Sequence, residues 1–310
     1  MRETFIRKNF NSDALEMIDK ARRIMSAYQA QGYDLSLRQL YYQLVSQNEI
    51  PNSERSYKNL GVLVSDARMA GLLDWDMIKD RGREAIINPH WTDPADFLVN
   101  VAPQFKIDLW ENQPCYVEVM VEKQALEGVL EPVCRKLDVP FTANKGYTSS
   151  SALYEASKRF LERALDGKSL HVIYLGDHDP SGIDMSRDVE ERLDMFVKTS
   201  MGEADMIGGG NAPAVEMHRV ALNMDQIKKL RPPENPAKLT DSRATSYVEK
   251  FGHSSWELDA VEPRTMAAMV SDEIYSLIDQ DHFDNDKERM SEGVQVLKKM
   301  AQEYKDNQED

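Results

Sequence analysis

Two aspartates, one residue apart, follow an apolar segment near the middle of the chain. Asp177 and Asp179 lie in residues 171–182, where an apolar run typical of a strand gives way to Pro-Ser-Gly. Side chains at positions i and i+2 of an extended chain share a face, so these carboxylates repel unless a cation neutralises them. Mg²⁺ is the usual partner, because it prefers oxygen ligands and retains waters that a phosphate can replace. The alternative is a solvated turn, since Asp, Pro, Ser and Gly all favour turns.

A third carboxylate follows another apolar strand upstream. Residues 116–123 are predicted to form a strand ending at Glu122, and apolar residues recur at helical spacing after it. Strands alternate with helices from here to the Asp-x-Asp turn, which predicts an α/β fold with a parallel sheet. Sites in such sheets form beyond the carboxyl ends of the strands, so Glu122, Asp177 and Asp179 are expected to converge. Alone, Glu122 could instead pair with Lys123 or stabilise the first turn of the helix.

An arginine and a pair of tyrosines share one predicted helix in the N-terminal third, residues 36–45. At about 100° per residue, Tyr41 joins the inward stripe of leucines, whereas Tyr42 lies about 200° from Leu40. We therefore expect Tyr41 in the core and Tyr42 exposed or facing a groove. Arg38 precedes Tyr42 by one turn on the same face, where a guanidinium would favour the phenolate and could hold a phosphate. The alternative is an amphipathic helix with two packing tyrosines.

Three helices are predicted at residues 11–31, 36–45 and 54–69, followed by a segment that could form a wing. A three-helix unit with a wing is a helix-turn-helix variant that binds DNA. Five basic residues are candidate DNA contacts, because they lie off the apolar stripe of the third helix or in the predicted wing. These residues are Arg55, Lys58, Arg68, Arg81 and Arg83. The alternative for each of them is an ordinary solvated charge.

Three motifs, in their order along the chain, resemble a Toprim domain over roughly residues 114–200. They are Val-Glu-Lys-Gln-Ala-Leu at 121–126, Lys-Gly-Tyr at 145–147, and Gly-Asp-His-Asp-Pro-Ser-Gly-Ile-Asp at 176–184. The variety resembled is that of the topoisomerase VI A subunit and the transesterases that start meiotic recombination. One departure is that Lys-Gly-Tyr continues with Thr-Ser, where the family commonly has Pro-Asp. Primases, type IA topoisomerases and Toprim nucleases share the Glu and the Asp-x-Asp, so these acids imply metal-dependent phosphodiester chemistry rather than one reaction.

The resemblance implies an enzyme that cleaves DNA and becomes joined to it. It assigns Tyr42 as the nucleophile that leaves a 5′-phosphotyrosine, with Arg38 as its assistant. It implies that Mg²⁺, or alternatively Mn²⁺, is held by Glu122, Asp177 and Asp179. The implied partners are double-stranded DNA, a second copy of the chain whose metal serves this tyrosine, and a separate ATPase subunit. Two alternatives remain open: a hydrolytic Toprim nuclease that uses a metal-activated water, and a non-catalytic DNA-binding scaffold.

The motifs and the proline-containing segment between them divide the chain into four predicted parts. These are a winged-helix domain at 1–90, a linker at 91–113, a Toprim domain with C-terminal elaborations at 114–285, and a C-terminal helix or tail at 286–310. A chain of 310 residues is long enough to bury two cores. The expected fold class is therefore α/β, with an N-terminal winged-helix domain followed by a Toprim-type parallel-sheet domain.

The net charge of −15 is the main objection to DNA binding, but it is unevenly distributed. Residues 1–90 carry 13 Lys and Arg against 12 Asp and Glu, whereas the remainder carries 25 against 41. The predicted DNA-binding unit is thus the less acidic part. No apolar run is long enough to span a bilayer, and the N-terminus does not resemble a signal peptide. With two cysteines in apolar contexts, a cytoplasmic, nucleoid-associated protein is expected.

Overall fold

Three helices at the beginning of the chain pack around one apolar core. The computed structural model describes residues 3–33, 35–78, 88–204, 213–237, 241 and 243–309. The three helices are α1 (Ser12–Gln29), α2 (Leu37–Ser46) and α3 (Glu54–Met69). Each helix begins after a residue whose side chain accepts a hydrogen bond from the first turn, namely Asn11, Ser36 and Ser53. The three predicted helices are confirmed, with ends that shift by one or two residues.

The basic part of the predicted wing, residues 79–83, lies outside the described residues. Before it, residues 75–77 form a short 3-10 helix. Leu35, which precedes α2, and Ile78 form an isolated parallel bridge. The winged-helix assignment of this unit stays a prediction.

A four-stranded parallel sheet confirms the predicted α/β class. The strands are β1 (Cys115–Val121), β2 (Phe141–Ala143), β3 (Ser169–Leu175) and β4 (Val215–Ala221), in the spatial order β2-β1-β3-β4. The pairing of β1 with β3 runs without a shift from Cys115 opposite Ser169 to Val121 opposite Leu175. Both strands therefore end at one level. The residues that follow them leave the sheet at its carboxyl edge, where sites form in such folds.

Helices cover both faces of this sheet. They are α5 (Glu127–Lys136) and α10 (Pro263–Leu277) on one face, and α6 (Ser150–Leu165) and α7 (Pro180–Ala204) on the other. Successive side chains of β1 alternate between the two cores, so that Val119 packs in one and Met120 in the other. All seven residues of β1 are consequently buried. This explains why β1 is a nearly continuous apolar run rather than an alternating one.

A small antiparallel ribbon lies over the carboxyl edge of the sheet. The elements after β4 are α8 (Met224–Leu230), β5 (Glu234–Pro236), α9 (Ala244–Phe251) and β6 (Ser254–Trp256). The main-chain N–H of His178 donates a hydrogen bond to the carbonyl of Trp256 at 2.9 Å, and the N–H of Trp256 donates one to the carbonyl of His178 at 3.0 Å. The chain then forms a 3-10 turn, Leu258–Ala260, whose Ala260 packs in the core of the three N-terminal helices. This stretch joins the N-terminal helices to the edge of the sheet.

The segment 91–113, predicted as a linker, contains a packed helix. It includes α4 (Pro94–Val101), which packs against the last helix, α11 (Gln280–Glu309). The buried indole N–H of Trp110 donates a hydrogen bond to the carbonyl of Leu137 at 2.9 Å. Helix α11 begins before the predicted residue 286, and its Phe283 is fully buried. Both segments are therefore integrated into the fold around the sheet.

The longest described helices, α7 and α11, carry charged side chains along their whole length. Accordingly, no helix among the described residues has the length and apolar character needed to cross a membrane.

Candidate active site

The turn that follows β3 is held in place by an arginine of β4. Arg219 donates hydrogen bonds to the carbonyls of Gly176 (3.2 Å), Asp177 (2.6 Å) and Gly182 (3.1 Å). A guanidinium can fasten several carbonyls at once, because its five N–H donors lie in one rigid plane. Gly182 is required by a close approach, since a Cβ there would lie 2.3 Å from the Asp177 carbonyl oxygen. This packing fixes where the side chains of Asp177 and Asp179 leave the sheet.

Glu122 lies directly beside this turn. Its Oε2 accepts a hydrogen bond from the main-chain N–H of Asp177 at 2.9 Å. The same oxygen would lie 2.9 Å from a Cβ at Gly176 and 3.0 Å from a Cβ at Gly182. Burial raises the pKa of Glu122, and the Asp177 N–H and Lys123 oppose this effect. The structure thus brings Glu122 against the Asp-x-Asp turn, in a space that only glycines leave open.

The carboxylate of Asp177 is 6% exposed and has two protein donors. The Nζ of Lys123 lies 2.8 Å from Oδ1, and the main-chain N–H of Leu258 donates to the same oxygen at 2.8 Å. Burial nevertheless raises the pKa of Asp177 to about 7 against the opposing charge of Lys123, and the charge of Glu122 adds to the rise. A carboxyl group with such a pKa has surroundings that do not fully stabilise its charge.

The carboxylate of Asp179 caps helix α7. Its Oδ1 accepts hydrogen bonds from the Gly182 N–H at 2.6 Å and from the Ser181 hydroxyl at 3.2 Å. Glu122, Asp177 and Asp179 are all described, yet they do not form a group whose ligand oxygens all lie within 4.8 Å of one another. Glu122 and Asp177 are therefore brought together, while Asp179 is engaged at a helix N-terminus. A shared ion would require Asp179 to exchange this cap for the metal.

Two further acids complete the cluster, and the sequence analysis missed them. Glu257 and Asp259 follow β6 with the same spacing as in the Asp-x-Asp turn. The Oε2 of Glu257 accepts hydrogen bonds from Arg38 at 2.8 Å and from Lys123 at 2.9 Å. The fully buried Asp259 has its Oδ2 3.1 Å from Arg38 Nε and 3.8 Å from Lys123 Nζ. A Glu-x-Asp pair directly after a short strand is the signal that identifies them.

Carboxylates outnumber cations in this acidic cluster. We define the cluster as Glu122, Asp177, Asp179, Glu257 and Asp259, and its cations are Lys123, Arg38 and Arg219. Both oxygens of Asp259 are buried without a hydrogen bond, although Arg38 is close enough for an ion pair, because proximity alone does not meet hydrogen-bond geometry. A buried carboxylate whose oxygens make no hydrogen bond is costly. Carboxylate oxygens are the donors that Mg²⁺ and Mn²⁺ prefer, but no three of these five described acids have ligand oxygens that all lie within 4.8 Å of one another.

Tyr42 is only 4% exposed, the same value as Tyr41. The expectation that the helix face separates a core tyrosine from an exposed one is wrong. The reason is that the turn Leu258–Ala260 packs across α2 and covers the face that would otherwise meet solvent. Tyr42 and Tyr41 both line a groove of about 350 Å³. Tyr42 therefore faces a groove, as predicted, although it is not exposed.

The surroundings of Tyr42 favour the phenol over the phenolate. Burial raises the pKa of Tyr42 well above its ordinary value, and the charge of Glu257 adds to the rise, while Arg38 opposes it. The guanidinium carbon of Arg38 lies 5.9 Å from the centroid of the Tyr42 ring. Arg38 forms ion pairs with Glu257 and Asp259. Arg38 therefore favours the phenolate, as expected, but burial and the charge of Glu257 outweigh its effect on the pKa of Tyr42.

The candidate DNA contacts on α3 are placed in different ways. Arg55 and Lys58 are exposed, and Lys58 pairs with Glu54 at 2.7 Å within the same helix. Such an exposed pair contributes little to stability, so Lys58 can exchange it for a phosphate at small cost. Arg81 and Arg83 lie outside the described residues.

Arg68 has a structural role. Its guanidinium donates hydrogen bonds to the carbonyls of Trp75 at 2.6 Å and Ile78 at 3.3 Å, and lies 4.6 Å from the Trp75 ring centroid. These contacts fasten the segment after α3 to the helix. A phosphate would have to displace them before it could bind Arg68.

No protein-family model matches this chain, and no curated protein matches it. The family resemblance therefore depends on the three motifs, their order, and the chemistry of the residues that they bring to the sheet edge.

Proposed function

We propose that this chain is a Mg²⁺-dependent DNA-cleaving protein of the topoisomerase VI A type, in which Tyr42 attacks a DNA phosphate. The proposal includes a winged-helix assignment for the N-terminal helices and a Toprim assignment for the sheet. Its support is an acidic cluster of hard oxygen donors at the carboxyl edge of a parallel sheet. Mn²⁺ is the alternative metal, and double-stranded DNA is the substrate.

The position of Glu257 is the single observation that carries the proposal. Its Oε2 binds Arg38, which lies beside Tyr42, and also Lys123, which binds Asp177. The tyrosine of α2 and the acids of the sheet are thus connected through three side chains within one chain. Packing alone gives no reason to bury so many charges between the N-terminal helices and the sheet. Buried charges rarely stabilise a fold more than apolar residues would.

In this proposal, side chains of the protein position the DNA phosphate for attack. Mg²⁺ held by Glu122, Asp177 and Asp179 would stabilise negative charge on the attacked phosphate. The side chain of Arg38 is 46% exposed, so its guanidinium can turn from Glu257 to a phosphate in the groove. The Oη of Tyr42 then bonds to phosphorus and the bond from phosphorus to the 3′ oxygen breaks. The phenolic proton ends on the departing 3′-hydroxyl, and a 5′-phosphotyrosine remains.

Hydrolysis is a second candidate, and the burial of Tyr42 favours it. A phenol whose pKa is raised is a poor nucleophile at neutral pH. In this case a water attacks the phosphate, and Tyr42 serves only to line the groove. The products are free ends with no protein attached.

A cleavage assay with supercoiled plasmid separates these candidates. Purified protein is incubated with plasmid and Mg²⁺, the reaction is stopped with detergent, and DNA ends are tested for bound protein. Covalent ends that disappear in Tyr42→Phe and in Asp177→Asn support transesterification. Cut ends without protein that persist in Tyr42→Phe but vanish in Asp177→Asn support hydrolysis.

The matched control is Tyr154→Phe, an exposed tyrosine on α6, which should cut like the unaltered chain. Circular dichroism verifies that each variant is folded. Plasmid that is bound but never cut, with either metal, would contradict both candidates and support a scaffold.

A further inference from the structure

A second cluster of metal-ligand side chains lies within the sheet, separate from the acidic cluster. His171 of β3 is opposite Glu216 of β4, and His218 follows on the same face of β4. The Nδ1 of His171 lies 3.0 Å from the Nε2 of His218. The Oε2 of Glu216 lies 3.5 Å from the first nitrogen and 3.9 Å from the second. Two nitrogens and one oxygen thus form a compact triangle.

The dimensions of this triangle match those of a transition-metal site. An ion at or just above the plane of three atoms with these separations lies about 2.0–2.2 Å from each, the distance at which Zn²⁺ binds His nitrogen and carboxylate oxygen. Two imidazoles and one carboxylate favour a borderline ion such as Zn²⁺ over Mg²⁺, which prefers oxygen alone. The triangle therefore differs in ligand chemistry from the acidic cluster.

The outer nitrogens of both histidines have the partners that metal-binding histidines usually have. The Nδ1 of His218 lies 2.7 Å from Oε1 of Glu273 on α10, and the Nε2 of His171 lies 2.9 Å from the hydroxyl of Ser169. In a metal complex both outer nitrogens carry a proton, which His218 donates to the carboxylate and His171 to the hydroxyl. The inner nitrogens are then free to bind the ion.

The side chain of Glu216 is 63% exposed, so the triangle opens to solvent at one corner. An ion here would have three protein ligands and a fourth position open to water, as in zinc sites that keep one coordination position open. The ordinary alternative is a hydrogen-bonded histidine pair with Glu273. That alternative accounts for the two histidines but gives no reason for Glu216 to complete the triangle.

We propose that His171, Glu216 and His218 form a binding site for one borderline transition-metal ion, for which Zn²⁺ is the probe. The ion would join β4 to β3, to which β4 is already hydrogen-bonded. Through Glu273 it would also connect the sheet to α10. This proposal does not depend on the proposed function, because none of the three residues belongs to the acidic cluster.

Co²⁺ absorption spectroscopy on the full chain, after treatment with a chelator, tests the site. Tetrahedral Co²⁺ absorbs strongly in the visible range, whereas an ion on oxygen ligands and water absorbs weakly, so the acidic cluster does not interfere. We expect one tetrahedral Co²⁺ per chain, displaced by one Zn²⁺. His218→Gln should weaken binding at least about tenfold, and Glu273→Gln about 10–100-fold, as for other residues that hold a metal-binding histidine.

Two variants keep this test independent of folding. Glu216→Gln alters an exposed side chain and should also weaken Co²⁺ binding. After chelator treatment, this variant should melt at the same temperature as the unaltered chain. His282→Gln removes an exposed histidine of α11 outside the site and should leave the affinity unchanged. Absence of a tetrahedral spectrum, equal affinity in His218→Gln, or equal loss in His282→Gln would overturn the proposal.

Discussion

Lys123 occupies the position where the charges of the acidic cluster meet. Its Nζ lies 2.8 Å from Asp177, 2.9 Å from Glu257 and 3.8 Å from Asp259. Burial lowers the pKa of Lys123, but these three acids outweigh that effect and raise it, so the side chain is charged throughout the neutral range. A fixed ammonium of this kind can hold the acids in place before a substrate arrives.

At the scale of this residue, Lys123→Met is expected to be strongly destabilising. The substitution leaves Asp177, Glu257 and Asp259 with one fewer cation, and removing one partner of a buried ion pair costs about 3–5 kcal/mol. Urea unfolding measures the free energy. Adding Asp177→Asn to the variant should recover part of the loss, because one unpaired charge is removed.

Lys145→Met is the matched control for Lys123→Met. The main chain of Lys145 bridges that of Lys123, but its side chain is exposed. Its replacement should change the unfolding free energy by no more than about 0.5 kcal/mol. If Lys123→Met were equally mild, the central position of its ammonium would be contradicted.

At the scale of elements, the turn between β3 and α7 determines the geometry of the site. Two glycines leave space for the carboxylate of Glu122, and Arg219 fastens the carbonyls around them. The Asp179 side chain and the N-terminus of α7 satisfy one another. The turn therefore positions three acids through main-chain contacts rather than through side-chain packing.

Gly182→Ala tests this role of the turn. The new Cβ would lie 2.3 Å from the Asp177 carbonyl and 3.0 Å from the Glu122 carboxylate, so the turn must shift. We expect a loss of about 1–3 kcal/mol in unfolding free energy together with loss of DNA cleavage. Urea unfolding and the plasmid assay measure the two effects.

Gly293→Ala separates the stability effect from the effect on the site. A Cβ at Gly293 of α11 would lie 2.2 Å from the ring of Phe105, which must shift, so this variant disturbs packing outside the turn. It should nevertheless preserve cleavage at a temperature where the protein is folded. Equal cleavage by the two glycine variants would contradict the role assigned to the turn.

The same elements indicate which features of the fold and of the site could be predicted from the sequence alone. The helix predicted at 36–45 and the strand predicted to end at Glu122 are found with ends that shift by one residue, because apolar patterns are local. The burial of Tyr42 was not predictable, since it depends on a turn far along the chain: Arg38 and Glu257 are 219 residues apart in sequence. Helical periodicity identifies the side of α2 that faces its own core, but not what a distant segment places on the other side.

At the scale of the whole molecule, the contacts of Arg38 bear on whether Tyr42 and the acids that would act with it belong to the same chain. The family resemblance implies a homodimer in which the tyrosine of one chain serves the metal of its partner. In this structure, Arg38 beside Tyr42 binds Glu257 of its own chain. The contacts therefore predict that Tyr42 and the acidic cluster of one chain act together.

Mixing two inactive variants distinguishes these arrangements. Tyr42→Phe and Asp177→Asn chains are coexpressed with different tags, and mixed complexes are purified and tested for covalent attachment to nicked plasmid. Action within one chain predicts no activity, because neither chain has both groups. Nicks with attached protein in the mixed complexes would contradict that prediction and support sharing between copies.

Binding of Mn²⁺ to the acidic cluster tests the central claim most directly. The ion is titrated into a Glu216→Gln chain, which weakens the histidine site, and free Mn²⁺ is followed by electron paramagnetic resonance. The account predicts one ion per chain, at least about tenfold weaker binding after Asp177→Asn, and unchanged binding after Asp272→Asn, an exposed acid on α10. Absence of binding, or equal affinity in the Asp177→Asn variant, would contradict it.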